Sequence, residues 1–418
     1  MADPIVAEDI TQVNLASPET FAAYDMGDYW RRLRDEHPVY RHPATEQGPA
    51  FWVLSGYDDV LALLKDDEHF SSRAGNMLPS LHKSSGDPAA GKVLALTDNP
   101  RHAAMRTMLL KAFTPRIRQF VVDRLQQRAD ELIAGLVDAG PFDFAEQVAE
   151  QLPIGTICDL LGVPVEDRGL ILDLSRDTLS SDEAGQTADD AWLARNELLV
   201  YCSELMEQRR AEPRDDLLSA MVNAEVDGEL LTDDEVLTNF YGFVLAGDHT
   251  SRLAMVGGVQ ALIEHPEQWR ALREGRVPVA GAVDEIIRWT TPVMHVARTA
   301  AADVPMGGRL IRTGDIATAW NISANRDPRV FERPDVLDLA RTPNKHLSFG
   351  FGPHFCFGAY LGRAEISAVL TALIHYVGEI RAEGDPKPIF STFLRGYSSL
   401  PVGFQAGASG AIRREETR

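Results

Sequence analysis

The chain has 418 residues, of which 25% are charged and 44% apolar, so a sizeable core is expected. A net charge of −21 argues against nucleic acid as a partner, because phosphates would repel it. No run of ~20 apolar residues could span a bilayer. The acidic start Met1-Ala2-Asp3-Pro4 is unlike a signal peptide, and the sparse set Cys158, Cys202 and Cys356 is not a disulfide framework. These features predict a cytoplasmic protein with no membrane or nucleic-acid attachment.

In chain order, residues 1–24 read as an irregular leader. Phe51-Trp52-Val53-Leu54-Ser55 predicts a short strand, and residues 56–64 a turn and helix. Residues 74–91 are rich in Gly, Ser and Pro but carry Met77, Leu78 and Leu81; they read as a mobile loop. From Arg101 to about Ile287 most segments have helical periodicity, with breaks near Pro164, Pro213 and Pro278. Cys158 reads as core, and neither it nor Cys202 is given a role. Strands are predicted over 298–305, 310–318 and 400–404, and a helix over 359–376. Residues 406–418 read as a disordered tail. No repeat and no linker divides the chain. The expectation is one mainly α domain with a minor β portion, over residues 1–405.

Several positions in this frame carry chemistry. His102 and Arg106 stand at i, i+4 after Asp98-Asn99-Pro100-Arg101, on one helix face. Thr232-Asp233-Asp234-Glu235 is a capping box that opens a long helix. That helix contains Ala246-Gly247-Asp248-His249-Thr250-Ser251. A helical Gly costs about 1 kcal/mol against Ala, so Gly247 beside Asp, His and Thr suggests a site rather than packing. A Thr hydroxyl at 250 can bend the helix locally. Glu285 and Arg288, at i, i+3, meet on one helix face. Residues 346–358 then place Cys356 in a glycine-rich, aromatic-walled loop just ahead of the last long helix. Gly350, Gly352 and Gly358 allow tight bends and close approach of a flat partner. The helix N-terminus points its N–H groups and positive end at the sulfur. Such a setting stabilises a thiolate, and a thiolate can ligate iron.

Phe349, Gly352, His354, Cys356 and Gly358 form Phe-x-x-Gly-x-His-x-Cys-x-Gly. This resembles the haem-binding signature of the cytochrome P-450 family, and the likeness to its soluble bacterial members covers nearly the whole chain. The resemblance implies the helix-rich, single-domain cytochrome P-450 fold with small antiparallel sheets. It also implies heme b (iron protoporphyrin IX) as cofactor and Cys356 as the metal ligand. His102, Arg106, Arg298 and His354 match contacts to the anionic propionates, which need cationic partners; Gly247 and Phe349 would lie beside the ring. Glu285, Arg288 and Arg341 match a structural charge lock, with Leu337 where the family often has Phe. The run from Ala246 resembles Ala-Gly-x-Glu/Asp-Thr-Thr/Ser, in which an acid and an alcohol relay protons. Thr250 matches the alcohol. His249 takes the acid's place, and Asp248 is one residue early, roughly 100° round the helix. His249, with an unperturbed pKa near neutrality, or Asp248 could share the relay; the alternative is that both make structural hydrogen bonds and water delivers the protons.

The implied activity is that of a haem-thiolate monooxygenase. It would use O2 and two electrons to hydroxylate a small-molecule secondary metabolite in bacterial natural-product biosynthesis. Oxidative coupling, desaturation or N-oxidation at the same haem, and a non-enzymatic gas or redox sensor, stay open; Gly247 and Thr250 speak against the sensor. Substrate contacts are expected from Asn76 and Leu78, from 175–190, from Asn239, Phe243 and Leu245, from Val293 and His295, and from Phe393. The hydrophilic run Ser180 to Gln186 favours a polar, glycosylated or carrier-tethered substrate over a plain fatty acid. The chain has no flavin or Fe–S segment, so ferredoxin and ferredoxin reductase are the expected electron donors to a monomer. A basic patch near Cys356, with Lys345, Arg363 and Arg116, would receive the carrier.

Overall fold

A computed structural model of the chain describes residues 5–24, 26–81, 87–179, 188–226 and 228–407. The helices that build the site are α1 (Tyr57–Lys65), α2 (Arg101–Ala112), α3 (Pro115–Leu136), α4 (Gln151–Leu161) and α5 (Arg168–Leu179). They continue with α6 (Ala188–Ala211), α7 (Asp233–Glu264), α8 (Val279–Thr290), α9 (Asn321–Ala324) and α10 (Ala359–Tyr376). The strands that support them are β1 (Val39–His42), β2 (Phe51–Leu54), β3 (Phe70–Ser71), β4 (Phe142–Asp143), β5 (Val296–Ala300), β6 (Ile316–Ala319), β7 (Val377–Ala382) and β8 (Pro401–Ala406).

Helix α7 is the spine. Thr232 and Glu235 close the predicted capping box in both directions, at 2.9 and 3.2 Å. Its buried residues are spread around the helix rather than along one stripe, as expected of a helix enclosed by others. One apolar core surrounds its C-terminal half with α3, α8 and α10. A second surrounds its N-terminal half with α2, α4, α5 and α6. Cys158 and Cys202 are fully buried in this second core, where burial pushes the Cys158 thiol up to about 12.

The larger sheet has the order β1-β2-β6-β5-β3. The expected sheets are antiparallel, but β2 and β6 pair in parallel. Every residue of both strands is buried, the usual condition of a parallel pair covered on both faces. The register places Arg298 opposite Ala317 at the centre of this sheet. A smaller antiparallel sheet has the order β7-β8-β4.

The leader is not irregular throughout. Ile10–Gln12 and Pro18–Ala23 are helical turns, and Ile10, Val13 and Leu15 bury against Tyr29, Trp30 and Leu33. Leu78 joins the same core from a short helix (Leu78–Leu81), so this part of the predicted mobile loop is anchored. The hydrophilic run 180–186 and tail residues 408–418 lie outside the described residues. Among those described, no helix is long and apolar enough to cross a membrane.

The predicted charge lock is present. Glu285 and Arg288 are fully buried and joined by two bonds of 2.8 Å. Arg341 Nε and Asn344 Nδ2 each reach Glu285 Oε2 at 3.0 Å. Arg288 also donates to the carbonyls of Asn325 and Pro334. The lock thereby ties α8 to the 325–344 segment that leads into the cysteine loop.

Candidate active site

An internal cavity of about 370 Å³ opens between α7, α10, α4 and the larger sheet. It exceeds the ~30 Å³ share of one water many times over, so it is ligand-sized. Cys356 lines it. The sulfur is accessible from the cavity, while the surrounding protein desolvates it and pushes the thiol up from its ordinary value. The N–H groups of Gly358 and Ala359, and the Arg106 and Arg363 guanidiniums, pull the other way. The loop geometry is built by its backbone. Cys356 N–H donates to Phe349 O at 2.9 Å, and Gly350 and Gly352 adopt positive φ of 68° and 73°. A Cβ on Gly352 would meet Leu64 O at 2.7 Å, so only glycine fits against α1.

His102, Arg106, Arg298 and His354 all line the same cavity. The His102 and His354 rings lie 4.1 Å apart. Burial lowers the Arg298 guanidinium to about 10, against the pull of Asp98. Burial, followed by Arg298, His102 and Arg106, drives His354 down to about 3. Among the described residues, buried His102 Nε2 has no partner, and Arg298 donates to the neighbouring Ala297 carbonyl at 2.8 Å. One buried and one half-buried guanidinium and an orphaned imidazole nitrogen, in a chain of net charge −21, mark a place for an anionic group. A flat, otherwise apolar group that carries two carboxylates suits this lining, with the Cys356 thiol available as a metal ligand.

Helix α7 presents Phe243, Ala246, Gly247, Thr250, Ser251 and Ala254 to the cavity. This is the i, i+3, i+4, i+7 stripe of one face. Asp248 and His249 fall outside it, and the relay expected of them finds no support here. Ser175 of α5 donates to Asp248 Oδ2 at 2.8 Å and lies 3.3 Å from His249 Nε2. Burial raises the Asp248 carboxyl and drives His249 down to about 3, so the imidazole is neutral near pH 7. Thr250 faces the cavity, its hydroxyl donating to Ala246 O at 2.9 Å. Gly247 also needs a second explanation. A Cβ there would meet Ile157 Cδ1 at 3.3 Å, so its bareness serves the close approach of α4 as well as the cavity.

Of the expected substrate contacts, Asn76, Phe243, Val293 and Phe393 line the cavity. Leu78, Asn239 and His295 do not, and are corrected to supporting positions. Asn239 holds the 92–94 backbone, accepting from Leu94 N–H and donating to Lys92 O, both at 2.9 Å. His295 accepts from Leu78 N–H at 3.2 Å and packs edge-on against Phe393. Leu245 also lies off the lining.

The family model for cytochrome P450 matches residues 167–405. Cytochrome P450 NovI of Streptomyces niveus is 41% identical over 394 residues, covering 94% of this chain and 97% of its own. The chain is a cytochrome P450. A methyl-branched lipid omega-hydroxylase of Mycobacterium tuberculosis is 34% identical, covering 88% of this chain and 89% of its own. The crystal structure of P450 OxyD, involved in the biosynthesis of vancomycin-type antibiotics, superposes with a TM-score of 0.86 at 31% identity, over 94% of this chain and all of OxyD. As a member of the family, this P450 is a haem b monooxygenase that takes its electrons from redox partners.

Sequence reasoning missed Glu365. It is the carboxylate among the P450 cavity's lining residues, on α10 and only 3% exposed. The hydroxyls of Ser251 and Thr156 bond to it, yet burial pushes its carboxyl up to about 8, with Asp248 adding to the rise. A signal was available. Leu361, Glu365, Ala368, Val369 and Ala372 form the apolar stripe of α10, and an acid on that stripe is out of place. One residue of the expected basic patch is engaged in packing. Arg363 bonds Asp284 at 2.8 Å and lies over the Phe349 ring, so it is part of the packing. Lys345 and Arg116 are exposed, with Arg116 3.9 Å from Asp215, and exposed Lys65 and Arg118 lie over Phe351 and Tyr360.

Proposed function

We propose that this P450 hydroxylates a small-molecule natural-product precursor, using electrons delivered by a ferredoxin and its reductase. The observation that carries the reading is the single cavity shared by Cys356, the four basic groups and Thr250. The likeness to NovI, and to OxyD with its place in antibiotic biosynthesis, supports the substrate class.

In this reading the Cys356 sulfur, which receives the N–H groups of Gly358 and Ala359, would ligate the haem iron. His102, Arg106, Arg298 and His354 would hold the two propionates, and Phe349 would lie beside the ring. Haem bound there supplies oxygen binding and thiolate-assisted O–O cleavage. The protein supplies position, protons and exclusion of water. Phe243, Val293, Val296 and Phe393 give the substrate an apolar chamber. Thr250 Oγ1 holds a proton at the α7 wall, and Glu365, protonated near pH 7, holds another behind Ser251. Lys65 and Arg118, each over an aromatic ring, offer cationic contacts to an acidic electron carrier.

Thr250→Ala is the test. It should lower product formed per NADH consumed severalfold while NADH consumption continues. An unchanged ratio removes Thr250 from proton handling. Absence of the reduced-CO band of thiolate-ligated haem in the wild type would overturn the reading itself.

A further inference from the structure

One wall of the cavity is stitched from four separate segments. Ala297 N–H donates to Asn76 O at 2.8 Å, Met294 N–H to Phe393 O at 2.9 Å, and Ile322 N–H to Met294 O at 3.2 Å. The bonds bring Asn76, Val293, Val296, Asn321 and Phe393 together, and all five line the cavity. The wall is apolar except for its two asparagines.

Asn321 is the anomaly. It opens α9 and is 1% exposed, yet neither its Oδ1 nor its Nδ2 has a hydrogen-bond partner among the described residues. Leaving a buried polar group unmade costs about 1–3 kcal/mol, and such exceptions in native proteins call for a reason. Asn325, one turn further on, shows the contrast. Its amide donates to Thr291 and Ser348 at 2.9 and 2.8 Å and accepts from Leu347 N–H at 2.7 Å. The fold bonds the Asn325 amide on both sides and leaves the Asn321 amide unpaired within the chamber wall.

We propose that Asn321 is a specificity-determining residue that pairs with an amide-type group of the substrate. The proposal rests on the substrate occupying this chamber, as in the function proposed above. A side-chain amide offers one donor edge and one acceptor side by side. Its best complement presents an acceptor and a donor on the same edge: a primary carboxamide, a lactam or an imide. A trans peptide bond points its N–H and C=O to opposite sides and cannot pair twice. A carboxylate lacks the donor and would leave Oδ1 unmet. Asn76, on the same wall, is placed to take a further polar substituent.

Isothermal titration of the holoenzyme tests this with hydrocinnamamide, benzylacetone and isopentylbenzene, which share a shape and differ in donor and acceptor. Asn321→Leu should weaken hydrocinnamamide about 10-fold or more, as expected for two lost hydrogen bonds. It should leave isopentylbenzene unchanged or tighter. Asn321→Asp keeps the size and one acceptor but loses the donor, and should weaken the amide more than the hydrocarbon. The proposal is overturned if both variants shift amide and hydrocarbon by the same factor. It is equally overturned if they lose haem with the amide-to-hydrocarbon ratio unchanged, since Asn321 would then serve the cofactor. The reduced-CO spectrum is read separately: its failure strikes the enzyme reading, whereas a normal spectrum with equal shifts strikes only Asn321.

Discussion

The two sides of the cavity are held by different forces. On the Cys356 side, charge and backbone geometry dominate: the Glu285 lock, the positive-φ glycines and the bond from Cys356 N–H to Phe349 O. On the opposite side, apolar packing of α4, α5 and α7 dominates, with Ser175, Asp248 and His249 as a local polar clasp. The first side permits few residue types at each position. The second permits many of similar shape.

Breaking the lock should show this asymmetry most strongly. Arg288→Leu leaves Glu285 buried with one guanidinium fewer, and should cost about 3–5 kcal/mol in denaturant unfolding. Haem should be lost in the same transition, because the lock supports the cysteine loop.

Glu365→Gln sharpens the comparison, since α10 belongs to both sides. The folded-state pKa of about 8 lies above the ordinary value of 4.5. As pH rises above 4.5 the unfolded chain releases this proton while the folded chain keeps it, so wild-type stability falls through the window up to about 8. The Gln variant lacks that titration. Its stability relative to wild type should therefore climb between pH 4.5 and 8 and level off above, as read from thermal unfolding across that range. A difference independent of pH would mean that Glu365 is ionised in the fold.

The smallest effect is expected on the outer surface of the cysteine side. Lys65→Ala with Arg118→Ala should slow reduction by an acidic ferredoxin a few-fold at low ionic strength, with the gap closing as salt screens the contact. Equal rates at every salt concentration would move the docking face elsewhere.

How much of this was legible follows from the same contrast. Residues 359–376 form the predicted helix, and the Cys356 loop, the capping box at Thr232 and the Glu285–Arg288 pair all read directly from spacing. Each is a local pattern with a fixed offset. What failed needed helix rotation or distant partners. Asp248 and His249 belong to the α5 contact because the cavity takes the 243, 247, 250 and 254 stripe of α7. The bareness of Gly247 answers Ile157, ninety residues away, as much as a ligand. Asn321 left no local trace, because its significance is the absence of a partner. The parallel pairing of β2 with β6 joins strands separated by most of the chain.

The buried basic cluster carries a consequence for how the protein is made. Until carboxylates arrive, Arg106, Arg298 and His102 sit desolvated with little to offset them, so the pigment-free chain should be the weaker fold. By mass action, a group that binds only the native chain draws molecules out of the unfolded pool. Porphyrin supply in the producing cell would then govern the yield of intact polypeptide as well as its colour.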